Sequence, residues 1–127
     1  MSAGPRACPE LADALDICDR LHLHIRDAGA LASAVDRPTQ VVYGDEAYVG
    51  IHAKGAALLD AINRSHPLID GNKRLSVLLV LLLYRLNGLD LVIDPDEGDV
   101  FIREVAGDVH PEMRTIVAWL EDHTVQR

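Results

Sequence analysis

The stretch His66-Pro67-Leu68-Ile69-Asp70-Gly71-Asn72-Lys73-Arg74, running on into Leu75-Ser76-Val77-Leu78-Leu79-Val80-Leu81-Leu82-Leu83-Tyr84, decides how this chain folds. A polar loop with one glycine feeds directly into a segment, Asn72 to Asn87, that is apolar on nearly every side. A helix of that kind reads as a central one wrapped by others. Asn87-Gly88 closes it, glycine supplying the left-handed position beyond a helix end. Its continuous apolar run, Val77 to Leu83 with Tyr84, is flanked by Arg74 and Arg85. That is far short of the roughly 20 apolar residues a membrane span needs.

Working outward toward the N-terminus, Ile51, Gly55, Leu58, Leu59 and Ile62 form a helical stripe over Tyr48 to Ser65. Thr39 to Asp45 reads as a loop with Val41-Val42-Tyr43 extended, and a short helix from Ala30 to Asp36 stops before Pro38. Leu11, Leu15, Cys18, Leu21 and Ile25 predict a first helix from Pro9 to Arg26, with Gly29 marking its end. Toward the C-terminus, Leu89 to Ile93 is a short extended connection. Asp94-Pro95-Asp96-Glu97 then starts a helix with an N-cap, a first-turn proline and a glutamate three residues after the cap. That helix ends at Gly107, and a last one begins near Pro111 with Met113, Ile116, Val117 and Leu120 as its buried face. The expectation is an all-α helical bundle forming one domain over residues 1–127.

Composition narrows the function classes. Twelve Lys+Arg against twenty Asp+Glu leave a net charge of −8, so the chain lacks the basic face wanted for direct nucleic-acid or anionic-membrane binding. A small cluster of cations around one phosphate remains compatible with it. Aromatics are only 4%, so the core must be built from Leu, Val, Ile and Ala. Cys8 and Cys18 lack the paired spacing of a zinc site and read as buried free thiols. His22 and His24, two apart on the first helix, face different ways and make a poor metal pair. Arg37, Lys54 and Arg64 either extend a phosphate or target surface or are simply solvated. The opening residues show no apolar leader core, and a cytoplasmic location is expected.

The chemistry concentrates at 66–74. A helix N-terminus presents unpaired N–H groups and the positive end of the dipole, and so attracts anions. Gly71 lets the backbone turn and a phosphate approach. Asn72, Lys73 and Arg74 add polar and cationic donors, Arg74 as a planar fork. Asp70 either caps the helix or holds a magnesium ion bridging phosphates. His66 has an ordinary pKa suited to accepting a proton from a hydroxyl. Taken singly, each residue has a plain structural use. Two cations opposing the dipole at one helix start carry a local cost unless an anion is present.

Seven specified positions within nine, His66-Pro67-x-x-Asp70-Gly71-Asn72-Lys73-Arg74, closely resemble the signature of the Fic/Doc superfamily in its Doc (death-on-curing) branch. Ile25-Arg26-Asp27 through Arg37-Pro38, Lys54-x-Ala56-Ala57-Leu58-Leu59, Asn87-Gly88, and Val105-Ala106-Gly107 with Trp119-Leu120 extend the resemblance over almost the whole chain. It implies a helical domain whose motif loop caps the central helix and binds ATP with Mg²⁺. By resemblance His66 would be the general base and Asp70 the Mg²⁺ ligand. Gly71 and Asn72 would form the anion nest, and Lys73 and Arg74 would hold nucleotide phosphates. Family members that transfer AMP usually carry glycine where this chain has Lys73, and a further arginine where it has Val77. The resemblance is therefore to Doc kinases, which move the terminal phosphate of ATP to elongation factor Tu and stop translation. AMP transfer and a catalytically weak antitoxin-binding module are the alternatives.

Two positions depart from the family pattern. Leu68 replaces the usual aromatic, which implies looser loop packing at a cost of about 1 kcal/mol, and Leu75 replaces a small hydroxyl residue. No Ser or Thr has Glu four positions later, so the self-inhibitory helix of many Fic proteins has no counterpart in this sequence. Inhibition is expected from a separate chain, a Phd-like antitoxin.

Overall fold

Helix α1 (Leu11–Arg20) opens with the Glu10 N–H donating to the Asp13 carboxylate at 2.7 Å, which satisfies one of the donors a helix start leaves over. It ends six residues before the expected Arg26. The cause is a left-handed residue, His22, at φ 56. The Leu23 N–H returns to the Cys18 carbonyl at 2.8 Å and the His22 N–H to Asp19 at 3.3 Å. These are the two bonds of a Schellman ending, in which glycine usually holds the left-handed place. With histidine there, and with Leu21 and Ile25 prolonging the apolar period, the stop is not marked in the sequence. Gly29, expected just past this helix, lies instead in the first turn of α2 (Ala28–Asp36), which starts two residues early because Asp27 caps it through Ala30 N–H at 2.9 Å.

A 3₁₀ turn, Arg37–Thr39, carries the buried Pro38. Strands β1 (Val41–Val42) and β2 (Asp45–Glu46) then pair antiparallel. Their two-residue turn, Tyr43-Gly44, has φ of 51 and 85, the positive values a tight hairpin requires. Helix α3 (Ile51–Ser65) follows, three residues shorter than expected at its start, and α4 (Asn72–Leu86) runs as the sequence predicts. The expected extended segment forms strand β3 (Leu89–Leu91), and α5 (Pro95–Ala106) is capped by Asp94 through Glu97 N–H at 3.1 Å. After α6 (Met113–Asp122), strand β4 (Thr124–Gln126) pairs antiparallel with β3. The structure is a computed structural model and describes residues 7–126. The opening Met1–Arg6, on which the leader expectation falls, lie outside it. Among the described residues the fold is helical with two small strand pairs, and no helix is long and apolar enough to cross a membrane.

The central helix is α3, not α4. Residues 54–63 of α3 are buried without interruption, and it packs against α2, α4, α5 and α6. Helix α4 buries Leu75, Ser76, Leu79, Val80, Leu83 and Tyr84 but leaves Val77, Leu78, Leu81 and Leu82 half-exposed. Hydrophobicity all round marked α4 as the core helix, whereas small residues made α3 one. Gly55, Ala56, Ala57 and Ala61 let its neighbours approach closely while contributing little to its apparent apolarity. Cys18 is buried as expected. Cys8 lies before α1 and is half-buried, and both are free thiols.

At the other end of α3, the buried Lys54 ammonium donates to the Glu46 carboxylate at 2.8 Å and to the Tyr48 carbonyl at 2.6 Å. This ties the hairpin to the core. His123 is stacked on Trp119, which stacks on Phe101. Its Nδ1 lies 2.7 Å from the Trp119 carbonyl and its Nε2 pairs with Glu97. The backbone hydrogen bond to Trp119, with Glu97 adding to it, raises the His123 pKa above its ordinary value.

Two tests follow from this packing. A Cβ on Gly55 would stand 3.0 Å from Tyr84 Cε1 and 3.2 Å from Leu120 Cδ1. Gly55→Ala should therefore destabilise the fold by about 1–3 kcal/mol through overpacking, read as a lower midpoint in urea unfolding. The raised pKa of His123 means its protonated form is favoured by folding. That stabilisation is fully present below the unfolded histidine pKa and disappears as pH rises through the folded value. The stability difference between the native chain and His123→Gln should shrink over that window, followed by the fluorescence of the single tryptophan.

Candidate active site

The expected site residues fall where the C-terminus of α3 meets the N-terminus of α4. His66 is the residue that ends α3. Its N–H bonds the Ile62 carbonyl at 3.1 Å, and it adopts a left-handed conformation at φ 47, exposed to solvent. That turn reverses the chain into the loop 67–71. Gly71, at φ 91, begins α4. A side chain there would be strained by the backbone, and its Cβ would stand 2.8 Å from Leu23 Cδ2. Glycine lets this turn pack directly against Leu23.

Asp70 does not cap α4. Its Oδ1 accepts the Gly71 N–H at 2.9 Å, and α4 has no side-chain cap. The N–H groups of Asn72, Lys73 and Arg74 are those a helix leaves without an intrahelical carbonyl. Lys73 and Arg74 are both exposed, and among the described residues neither forms an ion pair. Two cations thus stand at the positive end of the dipole without an ion-pair partner among the described residues.

Asn72 has a duty that sequence reasoning missed. Its Oδ1 accepts the Leu68 N–H at 2.8 Å and its Nδ2 donates to the Leu68 carbonyl at 3.1 Å. The side chain is a clasp across the loop, leaving its backbone N–H rather than its amide toward an anion. Leu68 itself is 1% exposed, so the loop is anchored in the core by this leucine. One layer deeper, the buried Asn63 Nδ2 donates to Ser76 Oγ at 2.9 Å, and the Ser76 hydroxyl donates to the Lys73 carbonyl at 2.7 Å. The first turn of α4 is thereby fixed to α3.

The loop is also stapled to the strap left by the early end of α1. Arg26 and Asp27 N–H groups both donate to the Pro67 carbonyl, at 2.8 and 3.0 Å. Ile69 N–H donates to the His24 carbonyl at 2.9 Å, and Ile25 bridges Leu68 antiparallel. His22 and His24 are exposed, and they lie beyond the end of α1 and not on a helix.

The other three cations considered from sequence are not simply solvated. Lys54 is buried in the hairpin clamp. Arg37 and Arg64 both pair with the buried Asp60, at 2.9 and 2.8 Å, and Arg37 also donates to Tyr48 Oη at 2.8 Å. An apolar groove of about 550 Å³ runs along the half-exposed face of α4. Leu78, Leu81, Ile93, Phe101 and Trp119 line it, and Lys73 and Arg74 stand at its rim.

The clasp generates a prediction independent of any activity. Asn72→Ala leaves the buried Leu68 backbone groups unpartnered and should cost about 1–3 kcal/mol. Hydrogen exchange should quicken at the amides of Leu68 and Ile69 while those of α3 stay protected.

The family described as the Fic/DOC family matches residues 10–84, which hold α1 to α3, the entire loop and all but the last two residues of α4. A protein named Toxin Doc, from Mycolicibacterium smegmatis, is 41% identical over 86 residues. The alignment covers 66% of this chain and 66% of that protein, just under two thirds of its length. No solved structure matches. With more than half of its residues matched, and with the loop that carries the signature inside the match, the chain belongs to the Fic/DOC family.

Proposed function

We propose that the chain is a Doc-like toxin of a toxin–antitoxin system, a phosphotransferase that moves the γ-phosphate of ATP to a hydroxyl of a protein target in the cytoplasm. The target proposed is elongation factor Tu, whose modification blocks translation, and the restraining partner is a Phd-like antitoxin. One observation carries the reading: Lys73 and Arg74 stand unpaired at the α4 N-terminus, in the loop-and-helix unit that also holds His66. Similarity to Toxin Doc supports the toxin part of it.

In this reading the first-turn N–H groups of α4, beginning at the Gly71 turn, receive the nucleotide phosphates, as helix N-termini do. Arg74 grips two oxygens as a fork and Lys73 adds a point charge. His66 accepts the proton of the target hydroxyl. The hydroxyl oxygen then forms its bond to the γ-phosphorus as the bond from that phosphorus to the β–γ bridging oxygen breaks, and ADP departs. Lys73, where AMP-transferring relatives carry glycine, favours attack at the γ position. Asp70 suits Mg²⁺, since its carboxylate is exposed and serves no helix cap. Among the described residues no group of three or more His, Cys, Asp or Glu forms a closed cage. One carboxylate plus phosphate oxygens and waters is the usual coordination of Mg²⁺ in such sites, where it neutralises phosphate charge. The groove along α4 offers an antitoxin segment an apolar seat next to the cations.

Incubation of the chain with elongation factor Tu and ATP labelled separately at the α and γ positions tests this. Label should arrive from the γ position alone. His66→Ala should lower the transfer by at least about 10²-fold, the usual contribution of a general base. Label arriving only from the α position identifies AMP transfer instead. Growth arrest that persists with His66→Ala identifies a binding module.

A further inference from the structure

The strap and the loop converge on one side chain, Arg26. Its guanidinium reaches across 40 residues of sequence to the end of α3, where Nε donates to the His66 carbonyl at 2.9 Å and Nη2 to the Ser65 carbonyl at 3.0 Å. Nη2 also bonds the His66 carbonyl, so that oxygen is held by both arms of the fork. The Arg26 backbone N–H takes the next carbonyl, Pro67, at 2.8 Å. Three consecutive carbonyls, those of residues 65, 66 and 67, therefore each accept at least one hydrogen bond from Arg26.

The conformation being held is an uncommon one. His66 is a non-glycine residue in the left-handed region, where a side chain is disfavoured. Its N–H is fixed by Ile62 and its carbonyl by Arg26. With both peptide groups pinned, the direction of the His66 Cα–Cβ bond is set, and only the side-chain torsions remain free. A cation at this spot also lies at the negative end of the α3 dipole, where it is favoured. Arg26 itself is exposed and forms no ion pair among the described residues, and its Nε and Nη2 are engaged by these carbonyls. Asp27, beside it, is occupied in capping α2.

We propose that Arg26 is a positioning residue for the reaction: its guanidinium fixes the backbone of His66 and so aims the imidazole at the acceptor hydroxyl. The proposal rests on the reading of His66 as the general base. It assigns Arg26 no contact with nucleotide or target. Displacing a reacting group by about 1 Å can cost on the order of 10²-fold in rate, and such a loss should fall on kcat and leave the KM for ATP unchanged. Lysine keeps the charge but offers no planar fork, so it should hold one carbonyl at a time and restore only part of the loss.

The test uses the full chain as native protein, Arg26→Ala and Arg26→Lys, with two readouts. In the first, kcat and KM for γ-phosphate transfer are measured. The expected result is a drop in kcat of about 10²-fold for Arg26→Ala, a smaller drop for Arg26→Lys, and an unchanged KM for ATP. The second needs no activity: the ¹H–¹³C resonances of the histidine rings are recorded by NMR. His66 should shift and broaden in Arg26→Ala, while His52, His110 and His123 keep their positions. An unmoved His66 resonance, or an unchanged kcat in an active protein, overturns the proposal. So does a loss that appears in KM alone. If the native chain transfers no phosphate, the functional reading fails and the ring spectra still decide whether Arg26 orients His66. If Arg26→Ala does not fold, Arg26→Lys is judged by the same two criteria.

Discussion

Hydrogen bonding between the strap 24–27 and the loop 67–69 is the constraint on which the candidate site depends. Neither segment belongs to a helix, so their peptide groups have no local partners and would be costly to bury alone. They satisfy one another: His24 with Ile69, and Arg26 and Asp27 with Pro67. The strap exists only because α1 stops at Arg20, and the loop only because His66 turns α3 out of its path. Two left-handed histidines, 22 and 66, thus create the two pieces of irregular chain that then pair.

Much of this was legible in the sequence, and the exceptions have physical causes. The start of α5 was readable because Asp94 and Pro95 are both specific to a first turn, and the end of α4 because Asn87-Gly88 marks it. The end of α1 was hidden because histidine, not glycine, takes the left-handed place, while Leu21 and Ile25 keep a helical period into the strap. Strand β4 was missed because its only partner is β3, 33 or more residues away. The exchange of α3 and α4 as central helix has a subtler origin. Overall apolarity measures what a helix could bury, whereas burial also depends on how near its neighbours come, and Gly55 with three alanines governs that.

At the site, the residue types and their clustering were readable, and the division of labour was not. Asp70 leaves helix capping aside, and Asn72 spends its amide on Leu68. Arg26 belonged to a quoted similarity, but its grip on residues 65 and 66 depends on a fold-level encounter no spacing rule encodes. Arg37, Lys54 and Arg64, which resembled a loose positive surface, are instead ion-paired, the two arginines sharing Asp60 and the lysine taking Glu46. Lys73 and Arg74 keep no ion-pair partner among the described residues, in a chain whose net charge is −8.

The pairing of strap and loop joins segments about 40 residues apart, with α2 and α3 between them, so the packing of those helices offsets its loop-closure entropy. The clasp from Asn72 adds the first turn of α4 to the same cooperative unit. A growing or partly folded chain therefore carries every residue of the motif without its geometry. Assembly of the tertiary structure is what brings those residues into one arrangement.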